Sequence, residues 1–442
     1  MTNVHAERSP LPGVSVVIIG GGLIGCSIAL ELRRRQADVT VVERNPGPGQ
    51  GSTAASSAIV RFHYSTDAGT ALAYEGMHYW KNWHEHLGIV PEDGFAELVT
   101  TGMVGLADET RHADRCKPIL DRLGIPNEWW DVDELARRLP YLDVRSYWPP
   151  RRPDDERFYD KPTTQVRGAL FEPEAGYVTD PMLAARNLHD AASAAGVTFR
   201  FSSTVAGILA DQEHVEGVSL ADGSTIPAAI VVNAAGPHSS VINALAGIAD
   251  SMNVGTRPLR QEVHLMAGPD HEPGTQLPSL GDGDSGFYYR DDGHGNLLIG
   301  SLEPECDPLE WLDDADEFSQ TFGDQWDAQT MRVARRVPAL GVPHDRRGTV
   351  GIYDASDDWI PIYDRTDLDG FYVAIGTSGN QFKNGGVVGH LVAELIASVE
   401  NGHDHDADPL VVIGPHTGLT IDTGAFSRNR EANTDSSMSV RG

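Results

Sequence analysis

The chain has 442 residues, 40% of them hydrophobic, and a formal net charge of −30. That length accommodates two substantial domains. The charge argues against a nucleic-acid or anionic-membrane partner, because no counterions would be released and like charges would repel.

Three cysteines, Cys26, Cys116 and Cys306, are odd in number and lack metal-ligand spacing. They predict a reduced, cytoplasmic protein with no disulfide framework and no metal site. The leader Met1 to Gly13 is polar and reads as a loose tail, and no stretch is apolar and long enough to predict a membrane span.

The first organised stretch is Val14 to Arg44, VSVVIIGGGLIGCSIALELRRRQADVTVVER. An apolar run suited to a buried strand leads into Gly20-x-Gly22-x-x-Gly25, then a helix-period segment, then a second strand closed by Glu43. Gly20 permits the tight turn, Gly22 lets the backbone approach a pyrophosphate, and Gly25 allows close helix–strand packing. The phosphates would lie at the positive end of the new helix, beside its first residues Leu23 and Ile24. Glu43 is spaced to accept hydrogen bonds from a ribose hydroxyl and would repel a 2′-phosphate, which favours FAD or NAD over NADP.

The loop Asn45 to Ser57 follows, rich in turn formers and hydroxyls. Ser52, Thr53, Ser56 and Ser57 are placed to surround more of a long cofactor. Beyond it Arg61 and His63 stand two apart, which directs both to one side of an extended segment. A helical run from Ala68 to Leu87 carries Trp80 and Trp83 as packing residues. Helices are also expected near 112–123 and after Asp133, and the Pro- and Arg-rich stretch 147–162 reads as surface loop.

A helix is predicted to start at Asp180-Pro181 and end at Gly196, with an antiparallel meander after it. AIVVNAAGPHS is a buried strand whose end, Ala234 to Gly236, is small enough for backbone to approach a ligand. Two strand patterns between 255 and 300 carry His264 and Tyr288, and acidic helix-like sequence covers 310–336. The strand DGFYVAIG then opens into TSGNQFKNGG and a helix to about Val399, a second strand–glycine loop–helix unit whose amides can face a cofactor. A binder of NAD alone would leave this second loop without a task. Lysines number only four, Lys81, Lys117, Lys161 and Lys383, and the last lies in this loop.

Taken together, GGGLIG, VVER, STAASSAIVR, EAGYVTDP, VVNAAGPHS and GTSGNQFKNGG resemble the D-amino-acid oxidase superfamily of flavoproteins, nearest to its sarcosine oxidase and dimethylglycine dehydrogenase branch, over most of residues 14–400. The resemblance implies an α/β fold: a Rossmann-like FAD-binding domain with a discontinuous second α+β substrate domain built on a large mixed or antiparallel sheet. We expect the FAD domain over 1–100, 163–250 and 345–427, the substrate domain over 101–162 and 251–344, and a disordered tail at 428–442.

By the same resemblance Gly20, Gly22, Gly25, Glu43 and Arg44 hold the ADP half and Val205 contacts adenine. Ser56, Ser57, Ala235, Gly236 and Gly379, Asn380, Gln381, Phe382 approach the cofactor. Arg61 and Lys383 look like a cationic pair near a substrate carboxylate or the flavin N1–C2 carbonyl region. Reduced flavin gains negative charge there, and a carboxylate substrate needs a fixed cation.

Two features depart from relatives of this kind. GIYDASDD has no cysteine and GSTAASSAIV no histidine, which predicts noncovalent FAD. Residues 162–382 contain no lysine, so the oxygen-activating lysine of some sarcosine oxidases has no counterpart there. Either another group activates oxygen or electrons leave to an acceptor protein.

The expected reaction is oxidation of the C–N bond of a small amine or amino acid, with His63 and Tyr288 as further pocket candidates. A 2-hydroxy acid or another natural-product intermediate as substrate, with His264 or His63 as base, and an electron-transferring flavin subunit of a dehydrogenase complex are the alternatives. The sequence leaves the oligomeric state open.

Overall fold

The computed structural model describes residues 9–211, 213–270 and 276–442, so most of the expected leader lies outside it. The opening unit forms β1 (Ser15–Ile19), α1 (Leu23–Arg34) and β2 (Asp38–Val42). β1 lies inside a six-stranded sheet whose order is Ile362–Arg365, Phe371–Ile375, Ile230–Asn233, β1, β2, Thr198–Arg200. All neighbours are parallel except the pair Ile362–Arg365 and Phe371–Ile375, which is antiparallel. Burial on both faces explains why these strands are continuous apolar runs.

One face is covered by α1, Pro181–Ala194 and Gly385–Glu400. The last helix comes unusually close, since a Cβ on Gly389 would lie 2.4 Å from the Ser27 carbonyl oxygen. An antiparallel meander, Val205–Ala210, Val215–Leu220 and Thr225–Pro227, packs on the other face. The predicted helix starts hold at Pro181, where Asp180 accepts from the Leu183 amide at 2.9 Å. The cap expected at Asp133 is instead Asp131, which accepts from the Glu134 amide at 2.8 Å.

The second domain is a nine-stranded sheet. Its pairs are antiparallel apart from Ser279–Asp282 alongside Met103–Leu106. The long strand Thr256–Ala267 runs beside Gly348–Ser356 along one edge and Asn296–Ser301 along the other. The helix Asp324–Arg336 is held on this sheet by buried Arg336, which pairs with Asp282 at 2.7 Å and Asp284 at 2.8 Å. Only this helix forms within the acidic stretch 310–336; Glu310–Trp311 is a short strand.

The crossing points between domains differ from expectation. Ala169–Glu172 and Gly348–Ser356 pair within the nine-stranded sheet, so the chain leaves the substrate domain after Glu172 and again after Ser356. The apolar and alternating patterns of those strands are alike in both sheets, and only pairing reveals the owner.

Residues 428–442 also differ from the expected disordered tail. Arg428 is 1% exposed, and bonds to Asp364, Asp367 and Asp406 tie it to the FAD domain. Polar composition misled here because the charges of this segment are matched by carboxylates elsewhere in the chain. Among the described residues, no helix is long and apolar enough to cross a membrane, and no group of three or more His, Cys, Asp or Glu could hold a metal ion.

Candidate active site

The strand ends of the six-stranded sheet meet the inner face of the nine-stranded sheet around a cavity of about 1380 Å³, part of it open to solvent. Beyond one end of it the backbone does the shaping. Gly20 has φ of 111°, and a Cβ there would stand 2.3 Å from the Ala234 carbonyl oxygen. A Cβ on Gly25 would stand 2.0 Å from the Gly20 carbonyl oxygen. Only glycine allows β1, the turn, α1 and the Ala234–Gly236 strand end to approach this closely. Gly22 is extended and supplies no side-chain cap of its own, while the first amide of α1, Leu23, donates to Thr53 Oγ1 at 3.2 Å; the helix N-terminus favours an anion.

Glu43 is buried, and its carboxylate accepts from the Gly21 amide at 2.6 Å and the Asn45 amide at 2.7 Å. It therefore fixes the glycine turn, and the carboxylate retains further acceptor capacity for a ribose hydroxyl. Arg44 is drawn sideways instead, to Asp316 at 2.9 Å. Val205 packs at the edge of the meander's apolar core beside the sheet. None of Gly20, Gly22, Gly25, Glu43, Arg44, Val205, Ala235 or Gly236 lines the main cavity, which begins at Leu23 and Ile24.

The loop 52–57 lines the middle of that cavity, and its hydroxyls tie the two domains together. Thr53 Oγ1 accepts from the Leu23 amide at 3.2 Å, and Ser52 donates to the Ile352 carbonyl at 2.6 Å. Ser56 Oγ accepts from the Ala58 amide at 3.1 Å, and Ser57 Oγ lies 2.9 Å from Tyr288 Oη. From the opposite side come Gly379, Asn380, Gln381, Phe382 and Lys383. Gly379 has φ of +68°, and a Cβ would stand 2.3 Å from the Tyr353 ring. No cysteine lines the cavity, and Gly351 stands in the wall beside Ala55.

The far end is made by buried side chains. Arg61 is 6% exposed, and its guanidinium donates to the carbonyls of His63 (2.8 Å), Val440 (2.8 Å) and Arg441 (2.7 Å). The Tyr64 ring lies 4.4 Å from Arg61 and 5.2 Å from Lys383 Nζ. Lys383 Nζ donates to Tyr64 Oη at 2.7 Å and to the Asn380 carbonyl. Burial, reinforced by the nearby Arg61 charge, pushes the Lys383 ammonium well below its ordinary value, against an upward pull from Glu172. An anion brought beside it would favour its charged form.

His63 lies on the same side, as its spacing from Arg61 predicted, with Nδ1 2.6 Å from Glu172 Oε2. Glu172 is fully buried and also accepts from the Phe62 amide at 3.0 Å. The carboxylate fixes the proton on Nδ1, so Nε2 is the ring's acceptor. Burial lowers the imidazole below its ordinary value, and Glu172 opposes that shift in part. His112 completes this wall, its ring 5.7 Å from that of His63 and its Nε2 3.4 Å from Cys116 Sγ. Tyr288 and Gln261 face the cavity from the large sheet.

His264 does not belong to this constellation. Gln261 and Val263 line the cavity, so period-2 alternation turns Glu262 and His264 to the opposite face. There His264 is fully buried among Phe322 and Trp326, 3.5 Å from Glu262. His112 and Gln261 on the cavity wall, and Glu172 and Tyr64 directly behind His63 and Lys383, are the residues that sequence reasoning missed. Only Tyr64 had a signal, its adjacency to Arg61 and His63; the others are single polar residues inside ordinary strand or helix patterns.

A sheet that receives a dinucleotide at a glycine turn and a second sheet that roofs its reactive end define a flavin-dependent oxidoreductase. The family model "FAD dependent oxidoreductase" (DAO) matches residues 15–395, and the chain belongs to that family. The FAD-dependent oxidoreductase domain-containing protein 1 of Bos taurus is 26% identical over 434 residues, covering 89% of this chain and 82% of its own. The sarcosine oxidase subunit beta of an Arthrobacter species is 25% identical over 402 residues, covering 89% and 90%. Among solved structures, L-proline dehydrogenase from P. horikoshii superposes with a TM-score of 0.69 at 25% identity, covering 87% of this chain and 94% of that one.

FAD is the cofactor of this family, and the residues present fit it. The α1 N-terminus has no cap from its own Gly22, Gly20 and Gly25 make room where any Cβ would collide, and the cavity continues from Leu23 to the second glycine loop.

Proposed function

We propose that the protein oxidises the C–N bond of a small amine bearing a carboxylate, an N-methyl amino acid or similar secondary or tertiary amine. One observation carries this reading: two buried basic side chains, Arg61 and Lys383, stand on one wall of an otherwise largely apolar cavity. Buried basic groups are costly unless an anion meets them, and a substrate carboxylate is an anion of the right size. The names of the relatives, a sarcosine oxidase subunit and a proline dehydrogenase among them, support the same class of substrate.

In this reading Arg61 holds the carboxylate with its planar fork, and the approaching carboxylate favours the charged form of Lys383. His63 Nε2, kept unprotonated by burial and oriented through Nδ1 by Glu172, removes the proton from the substrate ammonium and exposes its lone pair. FAD, when bound, accepts the hydride equivalent lost from the adjacent carbon. The remaining imine leaves for hydrolysis, and the apolar walls keep bulk water from the reacting bond. Tyr288, hydrogen-bonded to Ser57, holds the loop that would border the cofactor.

The His63–Glu172 pair also supports a second reading, oxidation of a 2-hydroxy acid, because a hydroxyl proton needs such a base. Anaerobic mixing of FAD-loaded protein with N-methyl amino acids and with 2-hydroxy acids separates the two. The amine reading expects loss of oxidised flavin absorbance with the first set alone. Re-admitting air then distinguishes an oxidase, which recovers its colour rapidly, from a dehydrogenase that passes electrons to an acceptor protein.

A further inference from the structure

A piece of the chain itself already holds the guanidinium that the proposed substrate needs. Arg430 anchors it, donating to Asp358 through Nε at 2.9 Å and Nη2 at 2.8 Å, and the Asn433 amide donates to the same carboxylate at 3.2 Å. Thr434 and Asp435 are exposed; Ser436, Ser439 and Gly442 are then buried again. Residues 439–442 close a tight turn, the Gly442 amide donating to the Ser439 carbonyl at 2.9 Å. That turn carries Val440 and Arg441 into the cavity wall.

Four polar contacts fasten it. Arg61 Nη2 donates to the Val440 carbonyl at 2.8 Å and to the Arg441 carbonyl at 2.7 Å. The Val440 amide donates to Glu303 Oε2 at 2.9 Å, and Arg441 Nη1 donates to Asp108 Oδ2 at 3.1 Å. Gly442 lies on Tyr64, where a Cβ would come within 2.6 Å of the ring. Arg61 Nη1 is turned away, to the His63 carbonyl. The Nη2 group, one arm of the fork a carboxylate would use, is therefore shared between two neutral carbonyl oxygens.

Carbonyls imitate the geometry of a carboxylate without its charge, and a carboxylate adds ion-pair attraction and a bidentate fit that two carbonyls lack. We infer that residues 436–442 are an internal competitor for Arg61. A substrate carboxylate takes the guanidinium from the two carbonyls, and the turn swings out about Thr434–Asp435 while Arg428 and Arg430 keep the segment attached. The inference rests on the reading of Arg61 as the carboxylate site. Its consequence is a lowered apparent affinity, since only the fraction of molecules with the segment released can bind.

Propionate, with propionamide as the neutral control, tests this on the FAD-loaded protein. Deuterium uptake is read by mass spectrometry on the peptide containing 434–442, and propionate binding is read separately from the flavin spectrum. The expected result is uptake in that peptide accelerated about tenfold or more by saturating propionate and unchanged by propionamide. Propionate that binds while the segment stays protected overturns the inference and leaves the reading of Arg61 intact. Propionate that does not bind overturns both.

Asp108→Asn gives a second measurement. Asn keeps the oxygen that accepts from the Thr110 amide and removes the charge facing Arg441. Both this variant and deletion of 437–442 are expected to lower KM for the amine about threefold to tenfold. A raised KM in both would make the segment a permanent wall of the site and contradict the inference.

Discussion

Beyond the Leu23 end of the cavity, where the dinucleotide would bind, the chain works through its backbone: Gly20 at φ of 111°, Gly25 against the Gly20 carbonyl, and the start of α1, which Gly22 leaves without a cap of its own. At the substrate end it works through buried side chains gathered from distant segments, with His63 meeting Glu172 from 109 positions away and Tyr64 meeting Lys383 from 319. The first construction tolerates almost no change of residue but is indifferent to what the enzyme oxidises. In the proposed function the second would select the substrate, and replacing one of its members is expected to leave the fold that carries the cofactor in place.

The sharpest way to break the comparison is at Gly20. Gly20→Val places a branched side chain where even a Cβ meets the Ala234 oxygen at 2.3 Å, in a backbone region that such residues rarely adopt. The variant is expected to purify without bound flavin, and an absorbance spectrum checks it. Arg61→Met should do the reverse, retaining flavin while kcat/KM for the amine falls about a hundredfold to a thousandfold, the size expected when a buried charge loses its partner. Steady-state kinetics beside a flavin-content assay tests both halves of that statement.

Glu172→Gln is expected to cost less, about tenfold to a hundredfold in kcat/KM, because the imidazole remains and only its orientation and basicity change. The sign of the pH effect follows from the pair. Activity needs neutral His63 and declines as pH falls through the imidazole pKa, which burial already lowers and Glu172 partly restores. Removing the carboxylate takes away that restoring influence, so the acid limb of kcat/KM should move to lower pH. An acid limb unchanged, or moved upward, would remove His63 from its assigned role.

The smallest effect belongs to His264→Leu. This ring packs on Phe322 and Trp326 behind the sheet. The kinetic constants should stay within about twofold, as expected for a substitution that shares no partner with the site. A thermal scan, not a rate assay, should register it.

The same contrast explains what could be read in the sequence. Backbone tasks leave a local signature: three glycines at fixed spacing, an acid ending the second strand, and a second glycine loop before a helix all sit within short windows. The six-stranded core and its helix starts were legible for that reason. Faces and partners are not local. Nothing in RQEVHLM says that Gln261 and Val263 face the cavity while His264 faces away, because alternation gives two faces without saying which is inward. Glu172 looks like any acid at a strand end until the fold brings His63 to it. The stretch 428–442 looks disordered by composition, and becomes ordered only because Asp364, Asp358, Asp108 and Glu303 wait for it in the folded chain.

The central claim is that Arg61, Lys383 and His63 present a carboxylate-bearing amine to FAD. Anaerobic titration of the FAD-loaded protein with N-methyl amino acids, primary amino acids and 2-hydroxy acids, followed by flavin absorbance, tests it most directly. The account predicts stoichiometric bleaching by a member of the N-methyl set and none by the same amine lacking its carboxylate. Bleaching by hydroxy acids alone, or equal bleaching by the carboxylate-free amine, would contradict it.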